Sequence, residues 1–252
     1  AHGGIIPSYG IGHSEAQWFV RGVPNVKKAF AKVWETDDLL TSFDGVSLWR
    51  PWNVDPSWKT QSGQAWFHID QHPISKPGKQ CIQGLINLLP TSKEIGGNVV
   101  IPKSHNFFKD IPEEYKERVE RLPLDIDHFR FPHDDPKLSS EPAVMAHMEP
   151  GDMLLWDSRT IHCSSSGSSL PEGTNDLIRA ASLICMMPKE LSSKEILEKR
   201  IHAAENLVST TNWTNDFRNA DEFPIVLEAE NRDQYKWPKK PNLSEYQKEL
   251  IA

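Results

Sequence analysis

The chain has 252 residues and a net charge of -7, and 38% of its residues are hydrophobic. This length predicts a single domain over residues 1–252, and the negative charge, without a Lys/Arg run, argues against nucleic-acid binding. No apolar run approaches the roughly 18 residues of a membrane helix. Three cysteines without paired spacing disfavour a disulfide scaffold or a zinc ribbon. We therefore expect a cytoplasmic protein without a membrane partner.

The sequence of residues 1–49 predicts a loop, one helix and two short strands. Residues 1–22 are rich in glycine and are predicted to be a loop. Apolar residues recur at helical spacing over residues 25–34, which predicts a helix. Residues 39–49 are predicted to form two strands, and Asp44-Gly45 between them is typical of a hairpin turn.

The middle of the chain predicts many short strands separated by turns and irregular segments. Residues 112–121 predict an exposed helix, residues 122–142 an irregular Pro-rich excursion, and residues 163–176 a Ser/Gly-rich loop. This pattern favours a mainly β fold, a sandwich or double-sheet jelly roll with flanking helices. The predicted strands cover residues 65–70, 80–89, 98–101, 144–148, the apolar middle of 151–162 (after a turn at 150–152, leading toward His162) and 177–187.

The C-terminal part, residues 188–252, predicts one helix and then a polar tail. Ser192 followed three residues later by Glu195 matches a capping box, which predicts the start of that helix. Apolar residues at helical spacing continue to Val208.

His68-Ile69-Asp70 is the most informative motif. In a strand, residues i and i+2 point to the same side, so His68 and Asp70 can reach one ion together. A second histidine, His162, closes the apolar run at residues 151–162. Two imidazoles and one carboxylate are the ligand set of a non-haem iron site with open positions, although the same set also suits zinc.

Other histidines offer weaker versions of the same pattern. His133 begins His-Asp-Asp but lies between two prolines, and His147 begins His-Met-Glu directly before a turn. His72 alternates with His68 and Asp70, so it is either structural or faces the same pocket.

An ordered set of motifs resembles the phytanoyl-CoA dioxygenase family of iron(II)/2-oxoglutarate-dependent oxygenases. The set is His68-x-Asp70, the segment 96–105, Pro150-Gly151-Asp152, His162 and Arg179. The resemblance covers about residues 39–187 and implies a double-stranded β-helix core there, similar to cupins, between an N-terminal loop and helix (1–38) and the C-terminal part. It also implies iron(II) at His68, Asp70 and His162, with 2-oxoglutarate paired to Arg179.

Several polar side chains stand in apolar strands, where a buried group needs a partner. Arg179 begins such a run, and a buried guanidinium fits a bidentate carboxylate partner. Gln83 and Asn87 share one face of their strand; each is predicted to contact 2-oxoglutarate or substrate, or to bond internally. The nearby tryptophans line a pocket or pack in the core: Trp49, Trp52, Trp58 and Trp66.

The predicted function is oxidation of a small molecule by dioxygen with release of succinate and carbon dioxide. Related halogenases lack the carboxylate ligand, so Asp70 favours hydroxylation, desaturation or oxidative cyclisation. Two alternatives remain open: a non-catalytic jelly-roll binding protein that retains the metal cage, and a zinc-dependent hydrolase in which Arg179 has no obvious role.

Overall fold

The computed structural model describes residues 4–60, 66–222 and 236–252. Residue 65, the predicted first residue of the metal-binding strand, lies outside this range. The strands, numbered in chain order, are β1 (Ile5–Ile6), β2 (Leu39–Thr41), β3 (Val46–Trp49), β4 (His68–Asp70), β5 (Ile82–Asn87), β6 (Gly96–Val100), β7 (His128–Arg130), β8 (Val144–Met145), β9 (Met153–Asp157), β10 (His162–Ser166) and β11 (Arg179–Pro188). The α-helices are α1 (Glu15–Arg21), α2 (Pro24–Trp34), α3 (Ile111–Glu114), α4 (Lys116–Glu120), α5 (Lys194–Asn206) and a last short helix at Glu245–Glu249.

The strands form two antiparallel sheets. The larger sheet has the order β1-β3-β11-β5-β9, and β2 also pairs with β11. The smaller sheet has the order β7-β4-β10-β6-β8. This architecture confirms the predicted mainly β jelly-roll class with flanking helices. The division into a core at 39–187 and two flanking parts stays a prediction.

Side chains alternate between the two faces of each strand, so each sheet has an apolar outer face and an inner face that points toward the other sheet. On the larger sheet, Ile82 and Ile86 of β5 and Ile184 of β11 pack with Val26 and Phe30 of α2. Residues at the intervening positions face the other sheet, because side chains alternate along a strand. Burial of both faces explains why these strands are apolar over most of their length.

The smaller sheet is covered on its outer face in the same way. Phe67, Ile69 and Phe129 belong to a buried cluster with Ile111 of α3 and Val119 of α4. His68 and Asp70 alternate with Phe67 and Ile69, so packing of the apolar pair turns the polar pair inward. Among the described residues, no helix is long and apolar enough to cross a membrane.

The hairpin predicted at Asp44-Gly45 is wrong. Both β2 and β3 pair with β11, Leu40 opposite Met187 and Val46 opposite Ser182. Because β11 is ten residues long, one edge of it accommodates two successive strands. The backbone between β2 and β3 forms hydrogen bonds with β11 rather than within a turn: the amide of Ser42 donates to the carbonyl of Cys185 at 2.8 Å.

The strand predicted in the apolar middle of residues 151–162 is confirmed as β9, but it does not continue to His162. β9 ends at Asp157 in the larger sheet, and His162 begins β10 in the smaller one. The chain crosses between the sheets through residues 158–161. The Ser/Gly-rich segment predicted as loop therefore starts as a strand, in which Ser164 pairs with Asn98.

The flanking segments are more regular than predicted. Residues 4–22 contain β1 and α1, and the side chain of Ser14 caps α1 by accepting from the amide of Gln17. Helix α5 starts one residue later than predicted, because Ser193 rather than Ser192 accepts a bond from the amide of Ile196. The charged helix predicted at 112–121 is two short helices, interrupted at Tyr115.

Two glycines with positive φ permit a test of how tightly β6 and β10 approach. Gly96 (φ 100°) lies opposite Ser166, and a Cβ there would overlap the carbonyl oxygen of Ser165. A Cβ at Gly151 (φ 95°) would meet no other atom within 4 Å in the described part of the chain. We expect Gly151→Ala to lower the free energy of unfolding by about 1 kcal/mol through backbone strain alone. Gly96→Ala should lower it by about 3 kcal/mol, because the clash adds to the strain. Urea unfolding measures both, and equal losses would contradict a close approach.

Candidate metal and cofactor site

Three neighbouring strands bring four polar side chains to the inner face of the smaller sheet. β4 lies between β7 and β10, with His162 opposite His68 and His128 opposite Asp70. Directly opposite residues of antiparallel strands project to the same side. The register of two strand pairs therefore gathers two sequence-predicted ligands from β4 with one histidine from each neighbour.

The three predicted metal ligands lie together. Nε2 of His162 is 3.4 Å from Oδ2 of Asp70, and Nε2 of His68 is 3.6 Å from Oδ1 of the same carboxylate. The ring centroids of His68 and His162 are 4.4 Å apart. Facing atoms at these distances can approach one ion with small side-chain rotations.

Backbone carbonyls fix the tautomer of both imidazoles. Nδ1 of His68 bonds the carbonyl of Trp66 at 2.9 Å, and Nδ1 of His162 bonds that of Thr160 at 2.8 Å. A carbonyl only accepts, so each Nδ1 carries the proton and each Nε2 presents a lone pair toward Asp70. Burial also lowers the pKa of His68 to about 4, which keeps this imidazole neutral. Both features are those of metal-binding histidines.

The Asp70 carboxylate is held ionised and oriented. Burial favours its protonated form, but the hydrogen bond with Nδ1 of His128 is among the contacts that lower the pKa of Asp70 well below its usual value. Gln83 reaches across from the larger sheet and donates from Nε2 to Oδ2 of Asp70 at 2.8 Å. Two imidazoles whose Nε2 atoms face an oriented carboxylate suit a divalent iron ion.

The site opens into a cavity of about 210 Å³ between the two sheets. Apolar and aromatic walls surround the histidines and Asp70, and a more polar end is formed by the segment before β3 and the segment after α5. Burial raises the pKa of Asp44, at this polar end, to about 6. The lining residues include Trp66, Asn98, Trp156, Ser164, Arg179, Leu183, Asp44, Thr210, Thr211 and Asn212.

Arg179 faces this cavity from β11 as a buried cation without a carboxylate partner in the described residues. Its guanidinium lies 4.5 Å from the centre of the Trp49 ring, Nη1 is 3.5 Å from the hydroxyl of Ser164, and Nε has no partner. Burial lowers the pKa of Arg179 to about 10, so the group is still charged at neutral pH. An uncompensated buried charge is costly, and a bound carboxylate would supply its partner. The pocket thus fits a small acid such as 2-oxoglutarate.

The other predicted site residues are placed less directly. Gln83 contacts the candidate ligand Asp70 and also lines the cavity, whereas Asn87 donates to the carbonyl of Met148 at 3.4 Å and lies outside the cavity lining. His72 is buried, and its Nδ1 accepts from two backbone amides, a structural role in a turn. His133 is exposed.

The predicted tryptophan pocket is mostly core packing. Trp66 lines the cavity and stacks on His68, whereas Trp49 and Trp52 pack with Ile178. Trp58 lies outside the cavity lining, under the guanidinium of Arg50.

Sequence reasoning missed His128. It falls within the segment predicted as an irregular excursion, where no strand pattern pointed to it. His68, Asp70 and His128 each offer one ligand atom, and these three atoms all lie within 4.8 Å of one another. Only the pairing of β7 with β4 reveals this proximity, because His128 itself begins no His-x-Asp or His-x-Glu motif.

Fold and site together define a jelly-roll protein with a two-histidine, one-carboxylate centre beside a buried arginine. The chain matches the family model described as phytanoyl-CoA dioxygenase (PhyH) over residues 36–170. That match spans more than half of the chain, so the chain belongs to the phytanoyl-CoA dioxygenase family. Membership confirms the predicted resemblance to this family.

Individual relatives agree with this assignment. The chain is 34% identical over 211 residues to "Ava biosynthesis cluster protein O" of Aspergillus versicolor, covering 81% of this chain and 64% of that protein. It is 23% identical over 225 residues to a protein of Dictyostelium discoideum, covering 77% and 60%. The chain thus spans less than two thirds of either relative. The crystal structure of GlcNAc Inducible Gene 2 from Candida albicans shares the fold, with a TM-score of 0.55 and 13% identity over 100% of this chain and 70% of that one.

The bond from Gln83 to Asp70 should support metal binding. Gln83→Leu removes a donor that orients the carboxylate, and loss of such a supporting bond typically weakens metal affinity about tenfold or more. We expect the dissociation constant for cobalt(II) to rise by about that factor in calorimetry. Gln80→Leu is the matched control, because Gln80 donates to the carbonyl of Pro77 outside the cavity. An unchanged constant for Gln83→Leu would mean that Asp70 needs no such support.

Proposed function

We propose that this chain is an iron(II)/2-oxoglutarate-dependent dioxygenase that oxidises a small molecule and releases succinate and carbon dioxide. One observation carries the proposal: the candidate ligands His68, Asp70 and His162 and the buried, unpaired guanidinium of Arg179 line one cavity. A metal site and an anion site in the same enclosure are what a chelating 2-oxo acid requires. Membership of the family supports the same conclusion.

His68, Asp70 and His162 would hold the iron from one side. Because all three project from one sheet face, the side toward the cavity is left open for 2-oxoglutarate, dioxygen and the substrate's reacting carbon. Arg179 would hold the distal carboxylate of 2-oxoglutarate, so that its other end is oriented toward the metal. Bound iron and 2-oxoglutarate would supply the oxidising power, and the protein supplies position and shelter.

The cavity walls indicate how the site is kept dry. Trp66 and Trp156 flank the two histidines, at ring-centroid distances of 4.9 Å from His68 and 5.4 Å from His162. Such walls exclude water from a reactive centre and accept an apolar part of a substrate. The polar end at Asp44 would face another part of the same small molecule. Asp70 as the carboxylate ligand favours hydroxylation, desaturation or cyclisation over halogenation.

Anaerobic titration tests the cofactor pair. Addition of iron(II) and then 2-oxoglutarate to the protein should give the weak charge-transfer absorption in the green that marks chelation by the 2-oxo acid. His162→Ala should abolish the band because it removes a ligand. A wild-type protein that binds metal but gives no band, and that releases no succinate in air with any substrate of a broad library, would favour a jelly-roll binding protein instead.

Arg179→Met separates the anion site from the metal site. A charge-assisted hydrogen bond contributes about 1.5–3 kcal/mol, so the dissociation constant for 2-oxoglutarate should rise about 100-fold while the constant for the metal is unchanged. Calorimetry on the cobalt(II)-loaded protein measures both.

Arg159→Met is the matched control for this variant. Arg159 pairs with Asp157 at 2.7 Å and lies outside the cavity lining, so its loss should leave 2-oxoglutarate binding unchanged. If Arg179→Met and wild type bind 2-oxoglutarate with equal affinity, Arg179 is not part of an anion site. That result would favour the zinc-hydrolase alternative, in which Arg179 has no role.

A further inference from the structure

We propose that His128 is a fourth, exchangeable protein ligand of the metal ion. It would bind the ion while the 2-oxo acid is absent and leave when the 2-oxo acid chelates. This inference rests on the proposed function, because it concerns the same metal centre. It adds a residue that neither the sequence motifs nor the resemblance assigned to the site.

The two oxygens of Asp70 face different imidazoles. Oδ2 is near Nε2 of His162, at 3.4 Å, whereas Oδ1 is 3.4 Å from Nδ1 of His128. His68 adjoins both histidines, with its ring centroid 4.4 Å from each of theirs. The carboxylate is therefore surrounded by three imidazoles rather than two.

The distances suit a shared ion. Ligand atoms of His68, Asp70 and His128 all lie within 4.8 Å of one another. Nitrogen and oxygen ligands lie about 2 Å from a divalent ion, so pairs of ligand atoms around it are roughly 3–4 Å apart. Nδ1 of His128, 3.4 Å from Oδ1 of Asp70, is already in that range.

His128 is held more loosely than the other two histidines. Carbonyl oxygens fix Nδ1 of His68 and His162, and their side chains are 7% and 6% exposed. The side chain of His128 is 49% exposed and projects from β7, an edge strand of the smaller sheet. Asp70 is the partner of its Nδ1, and no carbonyl in the described part of the chain is bonded to it. Its exposure and its lack of a fixing carbonyl among the described residues make His128 the ligand best suited to exchange.

Coordination number makes the exchange necessary. Octahedral iron with four protein ligands has two open positions, and a chelating 2-oxo acid would take both. No position would then remain for dioxygen. Departure of His128 would restore the third position, so His128 would help to retain the ion before 2-oxoglutarate arrives and would make room for dioxygen afterwards.

Cobalt(II) titrations of the full chain test both halves of the proposal. Without 2-oxoglutarate, His128→Ala should raise the dissociation constant for cobalt(II) about tenfold. On the cobalt-loaded protein, the same variant should bind 2-oxoglutarate more tightly than wild type, by the same factor, because displacement no longer opposes chelation. The visible spectrum of cobalt(II) gives an independent readout, since loss of one imidazole shifts its absorption bands.

His133→Ala is the matched control, because His133 is an exposed histidine a few residues after β7 and should change neither constant. Equal cobalt(II) and 2-oxoglutarate constants in His128→Ala and wild type would overturn the proposal. Weaker cobalt(II) binding with unchanged 2-oxoglutarate binding would overturn the exchange and make His128 a permanent ligand. Loss of cobalt(II) binding by wild type itself would instead defeat the proposed function.

Discussion

The antiparallel register of β4 with its two neighbours is the constraint on which the site depends. His162 stands opposite His68, and His128 stands opposite Asp70. A shift of one residue would turn each neighbouring histidine to the outer face. The apolar cluster on that outer face, with Ile69 fully buried, holds the register. Packing energy on one face of the sheet thus determines the chemistry of the other.

The second sheet contributes what the first cannot. Gln83 and Arg179 lie on neighbouring strands of the larger sheet, and both point into the space between the sheets. Gln83 orients the carboxylate of Asp70, and Arg179 offers, in the same cavity, a positive charge without a carboxylate partner among the described residues. A jelly roll brings these groups together because its two sheets face each other at about 10 Å. The buried charge destabilises the empty protein and favours its occupied form.

Errors in the sequence-based elements share one cause. The hairpin at Asp44-Gly45 and a strand leading directly toward His162 were inferred from local turn signals and apolar runs. Local signals indicate where a strand is broken, but they do not say which sheet the next strand joins. At Asp44 the chain stays on one edge of β11, and after Asp157 it crosses to the opposite sheet. Pairing partners far along the chain decide both cases.

The sequence by itself determined the jelly-roll class, the family and the alternation of His68 and Asp70, because strand periodicity and motif order are properties of the chain. It also indicated that Arg179 would be buried in an apolar strand. Only the tertiary structure decided that His162 begins a strand, that Gln83 contacts Asp70 and that His128 joins the site. Those facts depend on the register between strands distant in sequence, and long-range pairing leaves no local pattern to read.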